Sequence, residues 1–187
     1  FIFSEYLPLM HPYEDYRISH ASLKRKGGGV VLNLNHDIDM MYYLFGMPST
    51  VIGFENQANI LKIDCEESVN LVFSYRKDNY DFHCKVDLDF IGKPTKRMWS
   101  IVGEKGRIDI DLTKNNYHLF LHKKGEIILD ERKKIFYRRN ELFEYQIKEL
   151  IAPKTRNLVT FNEACKVMNI CLESKKSLKQ KKIINIT

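Results

Sequence analysis

The spacing of hydrophobic and polar positions changes several times along the chain. Residues 1–7 alternate and predict a strand, whereas the stretch from Pro8 to Arg17 has the composition of an ordered loop. Residues 19–26 predict a short helix that three glycines end, and residues 30–45 predict one long helix closed by Gly46 and Pro48. The pattern therefore predicts a mainly helical region before residue 50.

Between residues 50 and 130 the hydrophobic period is two, which is typical of strands with one buried face. Turn sequences separate the apolar runs, and the short spacings favour hairpins in a mostly antiparallel sheet. The predicted strands cover residues 51–54, 69–75, 80–90, 98–103, 107–112, 117–122 and 126–129.

Two helical stripes follow these strands, at residues 138–151 and 161–179, and residues 183–186 predict a last short strand. Thr160 and Glu163 have the spacing of a capping box, so the second helix should begin between them. Helices kept apart from a run of hairpin strands predict an α+β fold, in which helices pack on one face of a predominantly antiparallel open sheet. The length of 187 residues suits a single domain.

Composition and charge exclude several classes of protein. The net charge of +6 would suit a nucleic-acid partner, but the basic residues form short clusters beside acidic ones, which indicates a solvated face instead. Because no apolar run could span a bilayer and no signal peptide is evident, we expect a cytoplasmic protein without a membrane partner. The four cysteines lack metal-site spacing, so free thiols and no bound metal are expected.

Candidate chemistry concentrates in residues 27–46, where three glycines precede an apolar helix that contains Asn33, His36 and Asp37. On a continuous helix these three residues would project from one stripe. A histidine can transfer a proton near neutral pH, and a carboxylate beside it can fix its tautomer. The alternative is that His36 and Asp37 only pair within a helix interface. The glycines follow basic residues rather than a strand, so a phosphate-binding loop is not predicted.

This segment resembles a known family. The glycines, Asn33, His36, residues 37–39 and residues 44–46 are similar to the pattern GGG-x-x-x-D-x-x-H-x-x-D … L-F-G in the C-terminal domain of the Gfo/Idh/MocA oxidoreductases, named for glucose-fructose oxidoreductase, inositol dehydrogenase and rhizopine catabolism. Residues 7–17 and 160–186 also resemble segments of its sugar and nucleotide-sugar members. The resemblance implies a ferredoxin-like or dihydrodipicolinate-reductase-like domain over residues 1–187, for substrate binding and oligomerisation.

The same resemblance implies an NAD(P)-dependent dehydrogenase of a sugar or nucleotide-sugar hydroxyl. The family's N-terminal Rossmann domain is not within these 187 residues, so we expect NAD or NADP not to bind this chain tightly and the chain alone not to turn over. His36 would assist proton transfer, and Asn33, where the family more often has an aspartate, would orient a hydroxyl because an amide cannot ionise. The expected substrate contacts are Tyr13, Tyr16, Arg17 and Asp37.

A second hypothesis is a non-catalytic interaction module of the same fold. In that case the chain would dimerise through its sheet, and residues 30–45 would only pack in the hydrophobic core without binding a substrate. A homo-oligomer formed through the open sheet face is expected under either hypothesis, so oligomerisation alone does not distinguish them.

Overall fold

The computed structural model of the chain describes residues 1–56, 59–77, 79–135, 138–152 and 158–186. Its strands form a single sheet of nine strands in the order β8-β7-β6-β5-β1-β4-β3-β2-β9. Their bounds are β1 Ile2–Ser4, β2 Thr50–Glu55, β3 Ser68–Lys77, β4 Tyr80–Asp89, β5 Lys96–Gly103, β6 Gly106–Asp111, β7 Asn116–Lys123, β8 Glu126–Lys134 and β9 Ile184–Asn185.

Neighbouring strands pair antiparallel with one exception. Strand β1 lies between β4 and β5, and it runs parallel to β4 with Phe3 opposite Leu88. Each of the seven predicted hairpin strands is present, and β8 extends past its predicted end to Lys134. The predicted α+β fold with a mostly antiparallel open sheet is confirmed.

The helices are α1 Leu7–Met10, α2 Val30–Asn33, α3 His36–Phe45, α4 Arg139–Ile151 and α5 Phe161–Gln180. Single 3₁₀ turns occupy Tyr16–Ile18 and Lys24–Lys26. The predicted capping box of α5 is confirmed, because Thr160 Oγ1 accepts from the Glu163 backbone N–H at 3.3 Å while the Glu163 carboxylate accepts from the Thr160 N–H at 2.7 Å.

The core lies on one face of the sheet, as the alternation predicts. Strands β2, β3 and β4 bury every second side chain beneath α2, α3 and α5. The buried strand residues include Val51, Val69, Leu71, Phe73, Tyr75, Val86 and Leu88, and the helices contribute Val30, Val31, Ile38, Met41, Val167, Ile170 and Cys171. Burial of such apolar surface is the main stabilising contribution to this half of the domain.

Three local predictions before residue 50 are wrong. The stretch after β1 begins with the helix α1 rather than a loop, because Pro8 occupies its first turn, where a missing N–H costs no hydrogen bond. Residues 19–26 form only a 3₁₀ turn at their end, since they have no apolar stripe to bury. The long helix over residues 30–45 is two helices, α2 and α3, separated by Leu34 and Asn35.

The apolar stripe of α4 remains largely uncovered in the described ranges. Its exposed side chains are Leu142, Phe143, Tyr145, Ile147, Leu150 and Ile151. Among the helices in those ranges, none combines the length and the apolar composition needed to cross a lipid bilayer.

Candidate functional site

The three glycines form a tight loop that only glycine could make. Gly29 has a φ of +104°, and a Cβ at this position would overlap the Glu66 carboxylate. A Cβ on Gly28 would lie 2.7 Å from the Ala21 carbonyl oxygen. The Gly29 N–H in turn donates to that carbonyl at 2.9 Å. The loop therefore packs directly against residues 21–23 and Glu66 at the entrance to α2.

An ion pair holds this loop against α5. Lys175 Nζ lies 2.6 Å from Glu66 Oε1 and donates to the Gly28 carbonyl oxygen at 3.3 Å. Both side chains are mostly buried, with exposed fractions of 25% for Lys175 and 10% for Glu66. The glycine loop is thus fixed to the core by contacts with a residue almost 150 positions later in the chain.

Asn33 and His36 do not share one helical stripe, contrary to the prediction. Asn33 is the last residue of α2 and His36 is the first of α3, with the break between them. Asn33 immediately before this break bonds to backbone carbonyls through its side chain, and asparagine is a poor residue for a helix interior for that reason. The acidic Asp37 suits the first turn of a new helix.

Asn33 is held by the glycine loop. Its Nδ2 donates to the Gly29 carbonyl oxygen at 2.9 Å and to the Gly27 carbonyl oxygen at 3.5 Å. Since both amide hydrogens point to the backbone, Oδ1 is the atom left to face outward. Asn33 therefore presents a hydrogen-bond acceptor at a fixed position.

Asn33 lines a small cleft of about 100 Å³ beside the glycine loop. Of the predicted site residues, the structure brings Asn33 and Tyr16 together here. Three exposed polar residues that were not among the predicted site residues, His11, Glu14 and His20, also line the cleft. The remaining lining residues are Leu7, Met10, Ser19 and Ala21. The sequence carries no local signal for His20, because the hydrogen bond between Ala21 and Gly29 that brings it here is a tertiary contact.

Tyr13 and Arg17 lie on the exposed loop outside this cleft. The Tyr13 hydroxyl pairs with His11 Nδ1 at 2.9 Å, and the Tyr13 side chain is exposed. Arg17 forms a bidentate pair with Asp15, through Nε at 2.8 Å and a terminal nitrogen at 2.7 Å. Hydrogen bonds from Arg17 lower the pKa of Asp15 to about 2. Arg17 is therefore already paired in this structure.

His36 is exposed at the start of α3 and does not line the small cleft. The carboxylate of Asp39, three residues along α3, is partly buried. Burial raises the pKa of Asp39, and the neighbouring His36 opposes this shift. The structure thus places Asp39 as an acidic neighbour of His36.

Asp37 is fully buried beneath α3 rather than facing a cleft. Its Oδ1 accepts from Trp99 Nε1 at 2.7 Å and from Arg97 Nε at 3.1 Å, both on β5. This side chain therefore has no exposed surface on which a ligand could bind in this structure.

A larger groove of about 810 Å³ lies at the surface formed by Lys24, residues 55–56, residues 59–67 and the end of α5. Its lining mixes acidic and basic side chains, among them Asp64, Glu66, Lys175 and Lys179. Across the described ranges, no three His, Cys, Asp or Glu side chains lie close enough together to bind a metal ion.

Comparisons with known proteins agree with this fold. A sequence profile described as the C-terminal alpha/beta domain of an oxidoreductase family, Gfo/Idh/MocA, matches residues 21–169. A search of curated proteins finds no match. An NAD binding oxidoreductase from Klebsiella pneumoniae has a TM-score of 0.78 at 11% identity, over 100% of this chain and 57% of that chain.

A second solved structure is the UDP-N-acetylglucosamine 3-dehydrogenase from Acidithiobacillus ferrooxidans. It has a TM-score of 0.72 at 13% identity, over 96% of this chain and 53% of that chain. At these identities the likeness shows a shared fold. The chain spans little more than half the length of either structure.

Proposed function

The chain belongs to the Gfo/Idh/MocA oxidoreductases, as a copy of their C-terminal alpha/beta domain, and from this membership we propose that it is the substrate domain of an NAD(P)-dependent dehydrogenase. The substrate we propose is a sugar or nucleotide sugar that is oxidised at one hydroxyl. The observation that carries this proposal is the cleft beside the glycine loop, where Asn33 meets Tyr16 and the exposed polar residues.

The cofactor would be held outside this chain. The glycine loop is filled by the backbone of residues 21–23, and the Glu66 carboxylate lies against Gly29 at the start of α2. The space that a pyrophosphate would need is therefore already taken by the chain itself, so the glycine loop does not fit a dinucleotide site. We therefore propose that residues 1–187 form one domain and that a separate N-terminal Rossmann domain of the intact protein binds NAD or NADP.

The residues of this chain would orient the sugar and move a proton. Asn33 can accept a hydrogen bond from one sugar hydroxyl, but an amide cannot take a proton away. The imidazole of His36, exposed outside the small cleft, would take the proton of the hydroxyl that is oxidised, and Asp39 supplies a nearby negative charge. Tyr16 would contact the same sugar from the cleft wall. Tyr13 and Arg17 lie on the adjacent loop, where Arg17 could bind a substrate phosphate only by leaving Asp15.

The size of the cleft limits what it holds. At about 100 Å³ the cleft is small compared with the pockets of about 300–1,000 Å³ that enclose whole ligands. Only one edge of a sugar ring would enter it. The rest of a sugar or nucleotide sugar would lie along the exposed loop from His11 to Arg17.

The test is turnover by the intact protein. Purified protein is supplied with NAD⁺ or NADP⁺ and a panel of sugars that includes UDP-N-acetylglucosamine, and reduced nicotinamide is followed by absorbance. We expect sugar-dependent reduction that His36→Ala lowers strongly and that His122→Ala, an exposed histidine on β7, leaves intact. Equal rates for wild type and His36→Ala would refute the role of His36, and no sugar-dependent reduction would refute the proposed activity.

We also propose that the chain forms a homo-oligomer through the sheet face opposite the helices. On this face Val102 of β5 is 76% exposed, and the Arg107 guanidinium lies over the Phe120 ring at 4.8 Å. An apolar residue beside an aromatic and charged pair is typical of subunit contacts. Light scattering should give a mass above that of one chain, and Val102→Glu should lower it. A monomeric wild type would refute this proposal.

A further inference from the structure

We propose that Asp37 is a positioning residue that anchors the first turn of α3, and with it His36, to strand β5. This inference rests on the proposed function for its catalytic meaning, since His36 is the group we propose to move the proton. The anchoring itself can be tested without any activity.

The anchor is a buried hydrogen-bonded cluster. A single oxygen of Asp37, Oδ1, accepts from the Trp99 indole at 2.7 Å and from the Arg97 guanidinium at 3.1 Å. The Arg97 guanidinium also lies over the Phe3 ring at 4.8 Å. Hydrogen bonds to an ionised partner are short and strong, and they strengthen further away from water. The cluster therefore connects α3 with β5 and, through Phe3, with β1.

Asp37 lies in the first turn after the break between α2 and α3. Helix α2 ends at Asn33 and α3 begins at His36, so no continuous helix sets the distance between these two side chains. Asn33 is tied to the glycine loop on one side of the break. On the other side of the break, Asp37 is hydrogen-bonded to Arg97 and Trp99 of β5. The relative position of the two candidate residues thus depends on two separate attachments.

Two other roles for Asp37 fit the structure less well. A substrate contact needs an exposed atom, and Asp37 is fully buried. A charge partner for His36 would have to face the imidazole, but the bonded oxygen of Asp37 faces β5. Asp39 is the acidic residue whose charge interacts with His36.

The second carboxylate oxygen makes the test specific. Oδ2 is buried and has no hydrogen-bond partner in the part of the chain that the structure describes. An asparagine at this position can keep its carbonyl oxygen in place of Oδ1 and put its amide in place of Oδ2. Asp37→Asn therefore keeps the acceptor oxygen while it removes the charge and adds a buried amide donor, whereas Asp37→Ala leaves two partly buried donors without an acceptor.

The experiment uses the 187-residue chain labelled for NMR, with Glu67→Ala as the matched control. Glu67 is also a buried carboxylate that binds two donors, the N–H groups of Ile60 and Leu61 at 3.0 and 2.9 Å. Loss of the Glu67 carboxylate should lower the free energy of unfolding without changing the contacts of α3. The readouts are the imidazole signals of His36, with His118 on β7 as an internal reference, and amide hydrogen exchange in α3.

We expect Asp37→Ala to shift or broaden the His36 signals and to speed exchange of the Asp39 amide, which donates to the Asn35 carbonyl oxygen at 2.9 Å, by roughly tenfold or more, as loss of charge-assisted hydrogen bonds implies. Asp37→Asn should retain the wild-type His36 signals, and Glu67→Ala should leave them unchanged. If Asp37→Ala leaves the His36 signals in place, or Glu67→Ala moves them equally, the proposal is wrong. If Asp37→Asn moves them as far as Asp37→Ala, charge rather than attachment is responsible, and the proposal is also wrong.

Activity of the intact protein then separates this inference from the proposed function. If both are right, Asp37→Ala lowers kcat while KM for the sugar stays near the wild-type value, because a misplaced His36 affects proton transfer more than binding. If the His36 signals respond as expected but wild-type protein oxidises no sugar, the anchoring stands and only the proposed activity fails.

Discussion

Replacing Gly29 by alanine should destabilise the domain far more than the same change at Gly27. Both residues have positive φ, +104° and +82°, so alanine is strained at either position. Their backbones differ, since Gly27 with a ψ of 24° is in the left-handed helical region, whereas Gly29 with a ψ of 157° is in a region confined almost entirely to glycine. The space around them differs too. Among the described residues, a Cβ on Gly27 has no heavy atom within 4 Å, whereas a Cβ on Gly29 would overlap the Glu66 carboxylate and force it away from Lys175.

The two costs can be separated. Left-handed backbone at an alanine costs about 1–2 kcal/mol, which is the whole expected effect of Gly27→Ala. Displacing Glu66 from a mostly buried ion pair adds about 1–3 kcal/mol for Gly29→Ala, below the full penalty of a completely buried pair. With a urea m-value of about 2 kcal/mol/M, the additional cost lowers the unfolding midpoint by roughly 1 M.

Urea unfolding followed by circular dichroism and by Trp99 fluorescence measures both variants. A double variant sharpens the test, because Gly29→Ala made in a Glu66→Ala background keeps the backbone strain but loses the contact, so it should cost about 1–3 kcal/mol less than in the wild-type background. Equal midpoints for Gly29→Ala and Gly27→Ala would refute the contact with Glu66. The contact would also be refuted if Gly29→Ala lowered the free energy of unfolding as much in the Glu66→Ala background as in the wild type.

Three further predictions concern other parts of the domain. Buried Ser177 of α5 accepts from the Gly53 N–H at 3.0 Å and donates to the Lys182 carbonyl, so Ser177→Ala should cost about 1–3 kcal/mol in urea unfolding. Ser174→Ala, which removes only a bond within α5, should cost clearly less, and equal costs would contradict this view. Because the pKa of Asp15 is lowered from 3.8 to about 2, the stabilisation from its pair with Arg17 is complete above pH 3.8 and is lost as the pH falls through about 2. Titration of the Asp15 carboxyl group followed by NMR should show this low pKa. The variant Arg17→Gln should return the pKa of Asp15 toward its usual value. If the titration midpoint of Asp15 is the same in that variant, Arg17 is not the cause of the low pKa. A thiol reagent should modify exposed Cys165 quickly and the other three cysteines slowly, since burial raises their pKa values, and a fast phase that persists in Cys165→Ser would argue against this.

The strands could be predicted because their signal is local. A period of two between turn sequences requires no knowledge of partners, and all seven hairpin strands are present. The capping box at Thr160 is local in the same way. The place of β1 in the middle of the sheet depends on pairing with residues 87–89 and 96–98, which the alternation of residues 1–7 does not specify.

The site was harder to predict for the same reason. The break after Asn33 and the burial of Asp37 depend on Arg97 and Trp99, which lie 60 and 62 positions away. A helical pattern alone placed Asn33, His36 and Asp37 on one stripe. Only the tertiary structure shows that Asn33 turns toward the glycine loop and Asp37 toward the sheet, with His36 exposed between them.

The central claim is that the cleft at Asn33 binds the sugar that is oxidised. The direct measurement is sugar-dependent formation of reduced nicotinamide by the intact protein, compared between wild type, Asn33→Leu and a control, Asn162→Leu, at an exposed asparagine outside the cleft. We predict that Asn33→Leu lowers kcat/KM by roughly tenfold or more, since a fixed acceptor is lost, while Asn162→Leu matches wild type. Equal kcat/KM for wild type and a folded Asn33→Leu variant would contradict the claim.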